Sequence, residues 1–250
     1  TVHDLSFEHH PRWMAPHDRV LFRTLVPRAV ARAARVLTVS ETTRQDIVER
    51  YRVLEDRVIV THNGVDARFH PDGPRIPRDP FLLFVGALHP RKGLTTALEA
   101  LALLPDAPPL VVVGPPKHGA PAVDAAIDRL GLRGRVELAG HVDDEQLACL
   151  YRSAEAFVFP SLFEGFGLPV VEAMASGTPV VTTTAGALPE VAGDAAVLVP
   201  PADSEALAAG IEAARRDHDA LRTAGLANAA RFRWDALAAR TAEVYREVLG

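Results

Sequence analysis

Residues 156–182 read AFVFPSLFEGFGLPVVEAMASGTPVVT. Ala156–Phe159 is an unbroken apolar run of strand length, residues 168–176 carry apolar side chains at helical spacing, and Pro179–Thr182 is a second apolar run. Strands that are apolar on both faces and separated by a helix belong to a parallel sheet covered on both sides. The same alternation extends outward from this stretch. Phe81–Val85, Leu110–Val113, Val136–Leu138 and Ala196–Val199 are further strand candidates, and residues 94–104, 121–130, 143–153 and 204–215 are further helices. The pattern predicts an α/β fold of the doubly wound class. Ligands of such sheets bind beyond the carboxyl ends of the strands, where strand order reverses. Function is therefore expected in the loops after Val85, Val113, Leu138 and Phe159.

The first 70 residues read as part of a second α/β unit. A helix over 17–34 leads to a strand at Val36–Val39, Ser40 opens a helix running to about 49, and a strand at Val58–Thr61 enters the turn-rich segment His62-Asn63-Gly64-Val65-Asp66. Pro71–Pro80 holds four prolines and one glycine, the composition of an interdomain linker. We expect residues 1–75 to be the end of one domain plus linker, 76–235 a complete domain, and 236–250 a helix packing back toward the N-terminal part. The chain opens at Thr1-Val2-His3-Asp4 on what reads as the end of a strand, so a longer first half is expected before it. On that view Val36, Leu37, Val39, Val58 and Ile59 lack part of their covering.

Composition excludes several classes. No apolar run approaches the roughly 20 residues of a membrane span. The single Cys149 forbids an internal disulfide or a multi-cysteine metal site and fits a reducing, cytoplasmic setting. Residues 1–80 carry 13 basic and 11 acidic side chains, the remainder 14 and 21. The larger part is acidic, which speaks against a nucleic-acid partner. Arginine supplies all but two of the basic residues, so Lys92 and Lys117, each in a loop after an apolar strand, stand out. Arg19, Arg23, Arg28, Arg32 and Arg35 fall among the apolar residues Val20, Leu21, Leu25 and Val30, with few acids nearby. That is an ordinary solvated face or a peripheral contact with an anionic membrane, at its inner surface in a cytoplasmic protein.

The loop after Phe159 carries the most chemistry. Gly165 and Gly167 let a ligand approach the backbone, and the helix from Leu168 presents unpaired amides to an anion. Glu164 and Glu172 bracket this loop at an E-x7-E spacing, one carboxylate before the helix and one about a turn inside it. Each could accept hydrogen bonds from vicinal hydroxyls, of a sugar ring and of a ribose. After the first strand of the sheet, Gly86-Ala87-Leu88-His89-Pro90-Arg91-Lys92-Gly93 places two adjacent cations where they could neutralise a diphosphate. Gly140-His141-Val142 in a third loop could flank a base.

These residues, in this order, resemble glycosyltransferase family 4, the group-1 glycosyltransferases of GT-B fold. The resemblance rests on Thr38-Val39-Ser40, Asn63-Gly64-Val65-Asp66, Val85-Gly86, Arg91-Lys92-Gly93 and the stretch from Pro160 to Val180. It implies a complete C-terminal Rossmann-like domain with part of an N-terminal one. It further implies a retaining, metal-independent transferase without a cofactor, moving a hexose from a nucleotide-diphosphate sugar to a hydroxyl of a saccharide or lipid-linked acceptor. Glu164 would hold the donor sugar, Glu172 the ribose, and Arg91 and Lys92 the diphosphate, with Gly86 beside them. Gly165 and the amides of Phe166, Gly167 and Leu168 would meet sugar and phosphates, Val142 would pack near the base, and His3 would face the sugar. The start at His3-Asp4-Leu5-Ser6-Phe7 is similar to mannosyltransferase-like members and favours GDP-mannose, with UDP-glucose and UDP-N-acetylglucosamine open. The alternative is a nucleotide-sugar-binding chain that turns over only with another half.

Overall fold

The computed structural model describes residues 1–116 and 119–250. In chain order the elements are α1 (Ser6–His9), α2 (Pro16–Arg32), β1 (Val36–Thr38), α3 (Glu41–Tyr51), β2 (Val58–Val60), β3 (Leu82–Val85), α4 (Leu94–Ala102), β4 (Leu110–Val113), α5 (Ala120–Arg129), β5 (Val136–Gly140) and α6 (Asp144–Ser153). They continue as β6 (Ala156–Phe159), α7 (Leu168–Ala175), β7 (Val180–Thr183), α8 (Leu188–Ala192), β8 (Val197–Val199), α9 (Ser204–Arg216), α10 (His218–Ala229) and α11 (Trp234–Leu249). The strands after residue 80 form one parallel sheet in the order β5-β4-β3-β6-β7-β8, and β1 pairs with β2 in a separate parallel pair.

Side chains alternate between the two faces of a strand. On β3, Leu83 and Val85 enter one core with Phe157, Phe159, Tyr151 and Met174, while Leu82 and Phe84 enter the opposite core with Val112, Val158, Leu98 and Ile211. Both faces are thus dry, which explains the unbroken apolar runs. β5 differs: it is an edge strand whose Leu138 is 43% exposed, so its apolar character overstates its burial. The short α1 and α8, and the 3-10 turn at Pro90–Lys92, have too few residues to leave a periodic signal in the sequence.

The N-terminal part corrects one expectation. Val36, Val39 and Val58 are buried, and only Leu37 and Ile59 are half-exposed. Leu5, Phe7, Val30 and Ile47 close over Val36 and Val58 as a small core, because α1, α2 and α3 fold back onto the two strands. Exposed apolar surface lies instead on α2, at Val20, Leu21, Phe22 and Leu25. The proline-rich segment is also pinned. Arg152, itself buried, donates to the carbonyls of Arg68, His70 and Pro74, and the Ile76 amide donates to Ser153 Oγ at 2.7 Å. Beyond it, Trp234 at the start of α11 lies against Gly64, and the Val65 amide bonds to the Phe232 carbonyl at 3.1 Å.

Candidate functional site

Strand order reverses between β3 and β6, and the loops following these two strands face each other there. They are stitched together. The Leu162 amide donates to the Arg91 carbonyl at 2.8 Å, and the Ser161 hydroxyl oxygen lies 3.1 Å from the same carbonyl. The 3-10 turn carrying Arg91 and Lys92 is capped in front by His89 Nδ1, which accepts from the Arg91 amide at 3.1 Å. Behind it stands Gly93 at φ 69°, where a Cβ would fall 2.0 Å from the Pro160 carbonyl oxygen. Only glycine lets the two loops approach this closely while the backbone turns left-handed. The result aims both cations across the reversal point.

Glu164 receives them. Its Oε1 accepts from Lys92 Nζ and Ser161 Oγ, each at 2.6 Å, and its Oε2 has Arg91 Nη1 at 3.5 Å. The carboxylate is 7% exposed, and Lys92 Nζ also sits 5.0 Å from the centre of the Phe159 ring. Burial pulls the Lys92 ammonium below its ordinary pKa, against the opposing pull of Glu164. Oε1 is thus committed to protein partners, while Oε2 retains lone pairs for a ligand. Asp4 approaches Arg91 from the N-terminal part, at 3.8 Å.

His3 is brought to the same place through its backbone. A Cβ on Gly165 would lie 2.2 Å from the His3 carbonyl oxygen, so the N-terminal strand end is seated directly on the loop after β6. The His3 ring itself is exposed. After Gly165 comes Phe166, buried and packed edge-on against Phe232, then Gly167 as the N-cap of α7. The amides of Phe166, Gly167 and Leu168 donate to no acceptor among the described residues, the expected state of a helix start that can receive an anion.

Glu172 lies further along α7 in a different setting. Tyr151, fully buried, donates its hydroxyl to Glu172 Oε2 at 3.1 Å. Burial raises the Glu172 pKa to about 7, with Tyr151 pulling the other way and Asp144 and Asp66 adding repulsion. The two carboxylates of the E-x7-E spacing are therefore electrostatically distinct, one held by cations and the other by a phenol. Gly86 ends β3 with its amide on the Val113 carbonyl at 2.8 Å. Val142 is half-buried against the main core, and His141 is exposed beside it. No contact joins either of them to Glu164 among the described residues. Lys117 lies outside those residues.

Three supporting groups escape sequence reasoning. Ser161 stands within the stretch from Pro160 to Val180 with no role that its neighbours announce, yet its hydroxyl orients Glu164. Phe159 reads only as strand core, yet its ring underlies Lys92. Tyr151 carries no signal, because nothing in its own helix announces a partner 21 residues on.

The profile described as "Glycosyl transferases group 1" matches residues 66–231, and that described as "Glycosyltransferase Family 4" matches residues 1–69. The O-antigen chain mannosyltransferase B of Escherichia coli is 31% identical over 98% of this chain and 69% of its own length. The MMP alpha-(1->4)-mannosyltransferase of Mycolicibacterium hassiacum is 36% identical over 91% of the chain but 57% of its own length. This chain thus spans 57% and 69% of the length of these two relatives. The crystal structure of Anabaena HepE in complex with UDP and glucose superposes with a TM-score of 0.84 at 24% identity, over 98% of this chain and 70% of that one, a likeness of fold. With the family profile covering residues 66–231 and this architecture, the chain belongs to the group-1 glycosyltransferases of family 4 and has the GT-B fold.

Proposed function

We propose that the chain supplies the nucleotide-sugar site of a retaining, metal-independent hexosyltransferase, with GDP-mannose as the favoured donor. One observation carries this reading: two cations, a carboxylate with a spare oxygen and three unpaired helix-start amides converge at the strand-order reversal. Residues 76–235 act as the donor-binding domain, and residues 1–75 with the helix at 236–250 bring the acceptor side against it. Mannose is favoured because the E. coli and Mycolicibacterium relatives are named as mannosyltransferases.

In this reading Arg91 and Lys92 take the diphosphate, with the start of α7 opposite them. As the glycosidic bond breaks, negative charge grows on the leaving phosphate, and fixed cations and amides stabilise that charge more than the ground state. The acceptor hydroxyl attacks from the face the diphosphate leaves, and its proton passes to a phosphate oxygen. Glu164 Oε2 accepts from donor-sugar hydroxyls, His3 borders the sugar, Glu172 accepts from the ribose and Val142 lies toward the base.

Glu164→Ala tests the assignment. Loss of a charged hydrogen-bond partner costs roughly 1.5–3 kcal/mol, so GDP-mannose affinity should fall about 10- to 150-fold while GDP affinity falls much less. Calorimetric titration of both ligands reads this, and equal weakening would remove Glu164 from the sugar.

A peripheral membrane contact is favoured by a separate observation, the exposure of Val20, Leu21, Phe22 and Leu25 on α2 among arginines. No helix among the described residues is long and apolar enough to cross a membrane. The chain should float with anionic vesicles and not with neutral ones, and Leu21→Asp with Leu25→Asp should abolish flotation. Flotation unchanged by these substitutions would place the contact elsewhere.

A further inference from the structure

Glu190 is a carboxylate with no part in the donor chemistry above, yet all its partners come from the other part of the chain. Its Oε1 accepts from the Glu41 amide at 2.7 Å and from His62 Nε2 at 2.9 Å. Its Oε2 accepts from the Thr42 amide and the Thr42 hydroxyl, both at 2.9 Å. The partners lie 128 to 149 residues away in sequence. Ser40, the local cap of α3, takes only the Thr43 amide, at 3.1 Å. Glu190 therefore completes the cap of α3 from outside, satisfying orphan amides and the positive end of the helix together. Burial would raise the pKa of this carboxyl, but the His62, Glu41 and Thr42 bonds reverse that and bring it to about 2. The carboxylate is therefore ionised at neutral pH.

The other end of α8 leads to Glu164. Just before α8, the Ala187 amide donates to the Glu164 carbonyl at 2.9 Å, and Thr183 Oγ1 donates to the Ser161 carbonyl at 2.6 Å. Leu188 packs onto Gly167, where a Cβ would meet its Cδ2 at 2.7 Å. His62 adds a second route, its ring standing 6.2 Å from that of Phe166. A displacement of α3 must pull on α8 through the bonds to Glu190, and α8 is bonded to the backbone of the residue whose side chain is aimed at the sugar.

We infer that Glu190 is a positioning residue that couples the placement of the N-terminal part to that of the Glu164 carboxylate. Its effect is to make the sugar-binding geometry depend on where α3 sits, so that the two sides of the cleft are set together. This rests on the proposed role of Glu164, and the test is arranged to separate the two.

Glu190→Gln keeps the shape but places an amide donor against the donating groups of α3. GDP-mannose affinity should fall about tenfold relative to GDP affinity, a difference a remote cap with no link to the sugar site would not produce. Hydrogen exchange should accelerate at the amides of residues 41–43 and also at Ala187. Thr42→Val, which removes the hydroxyl bond to Glu190 Oε2 from the opposite side, should move both readouts in the same direction by a smaller factor. It serves equally should Glu190→Gln fail to fold. Faster exchange confined to residues 41–43, with Ala187 and the GDP-mannose to GDP ratio unchanged, would reduce Glu190 to a simple cap and overturn the coupling. Should the parent chain bind neither ligand, the donor reading fails, and the paired exchange at 41–43 and Ala187 still decides the coupling.

Discussion

Lys92→Ala is expected to lower the melting temperature by more than about 6 °C, a large effect for one residue in a loop. Lys92 and Glu164 form a pair that is largely removed from water. Removing one member of a buried pair costs about 3–5 kcal/mol, because Glu164 then keeps only the Ser161 hydroxyl and the more distant Arg91, and each kcal/mol shifts a chain of this size by roughly 2–4 °C. Lys92→Met combined with Glu164→Gln should recover most of the loss, since neither charge is then stranded. A melting temperature for Lys92→Ala within about 2 °C of the parent would mean the pair is hydrated in solution. The binding consequence is separate. Arg91→Ala with Lys92→Ala should erase discrimination between nucleoside diphosphate and nucleoside, and the parent's diphosphate affinity should weaken as salt is raised. A double variant that still prefers the diphosphate by the parental margin would move the phosphate site elsewhere, with Lys117 the next cation to test.

This stability effect is not legible in the sequence, and the reason is physical. The apolar runs announce the doubly covered sheet because burial on both faces leaves no room for polar alternation. The glycines and Pro169 announce the loop and helix start because few residue types tolerate that backbone. These are local constraints, written where they act. The Arg91-Lys92 pair can be read as cations in a loop, but not that Lys92 is desolvated against Phe159 and matched by Glu164 72 residues away. Tyr151 beneath Glu172 and Glu190 on the first turn of α3 are likewise long-range pairings, fixed by how elements pack. Val36 and Val58 illustrate the same limit from the other side. Their apolar character is plain, but which helices cover them depends on α1 and on the path of α2. Sequence pattern sets the type and order of elements here, while the electrostatics of the site comes from tertiary contact.

Glu172 makes that electrostatics measurable. Its folded-state pKa of about 7 stands above the ordinary 4.5, chiefly through burial. Between these values the folded protein holds a proton that the unfolded chain has released. Stability should therefore fall as pH rises from about 4.5 to about 7, by about 3 kcal/mol in total, since each tenfold difference in proton affinity between the two states is worth about 1.36 kcal/mol. Below 4.5 both states are protonated and above 7 both are ionised, so this contribution is flat outside the window. Ligand affinity should run the opposite way. A carboxylate that accepts from two ribose hydroxyls is the ionised form, so GDP-mannose should bind roughly 30-fold more weakly at about pH 5.5 than at about pH 8.5. GDP-mannose is the right probe because its diphosphate is esterified at both ends and does not titrate across that range. Binding near about pH 6.5 should also release a proton, visible as a dependence of the calorimetric heat on the buffer's ionisation enthalpy. Glu172→Gln should bind more weakly at high pH, lose the pH dependence and release no proton. A ligand lacking the ribose hydroxyls should show the same flat profile with the parent chain. Should Glu172→Gln keep the parental slope, the titrating group is another residue, and the ribose assignment of Glu172 loses its electrostatic support.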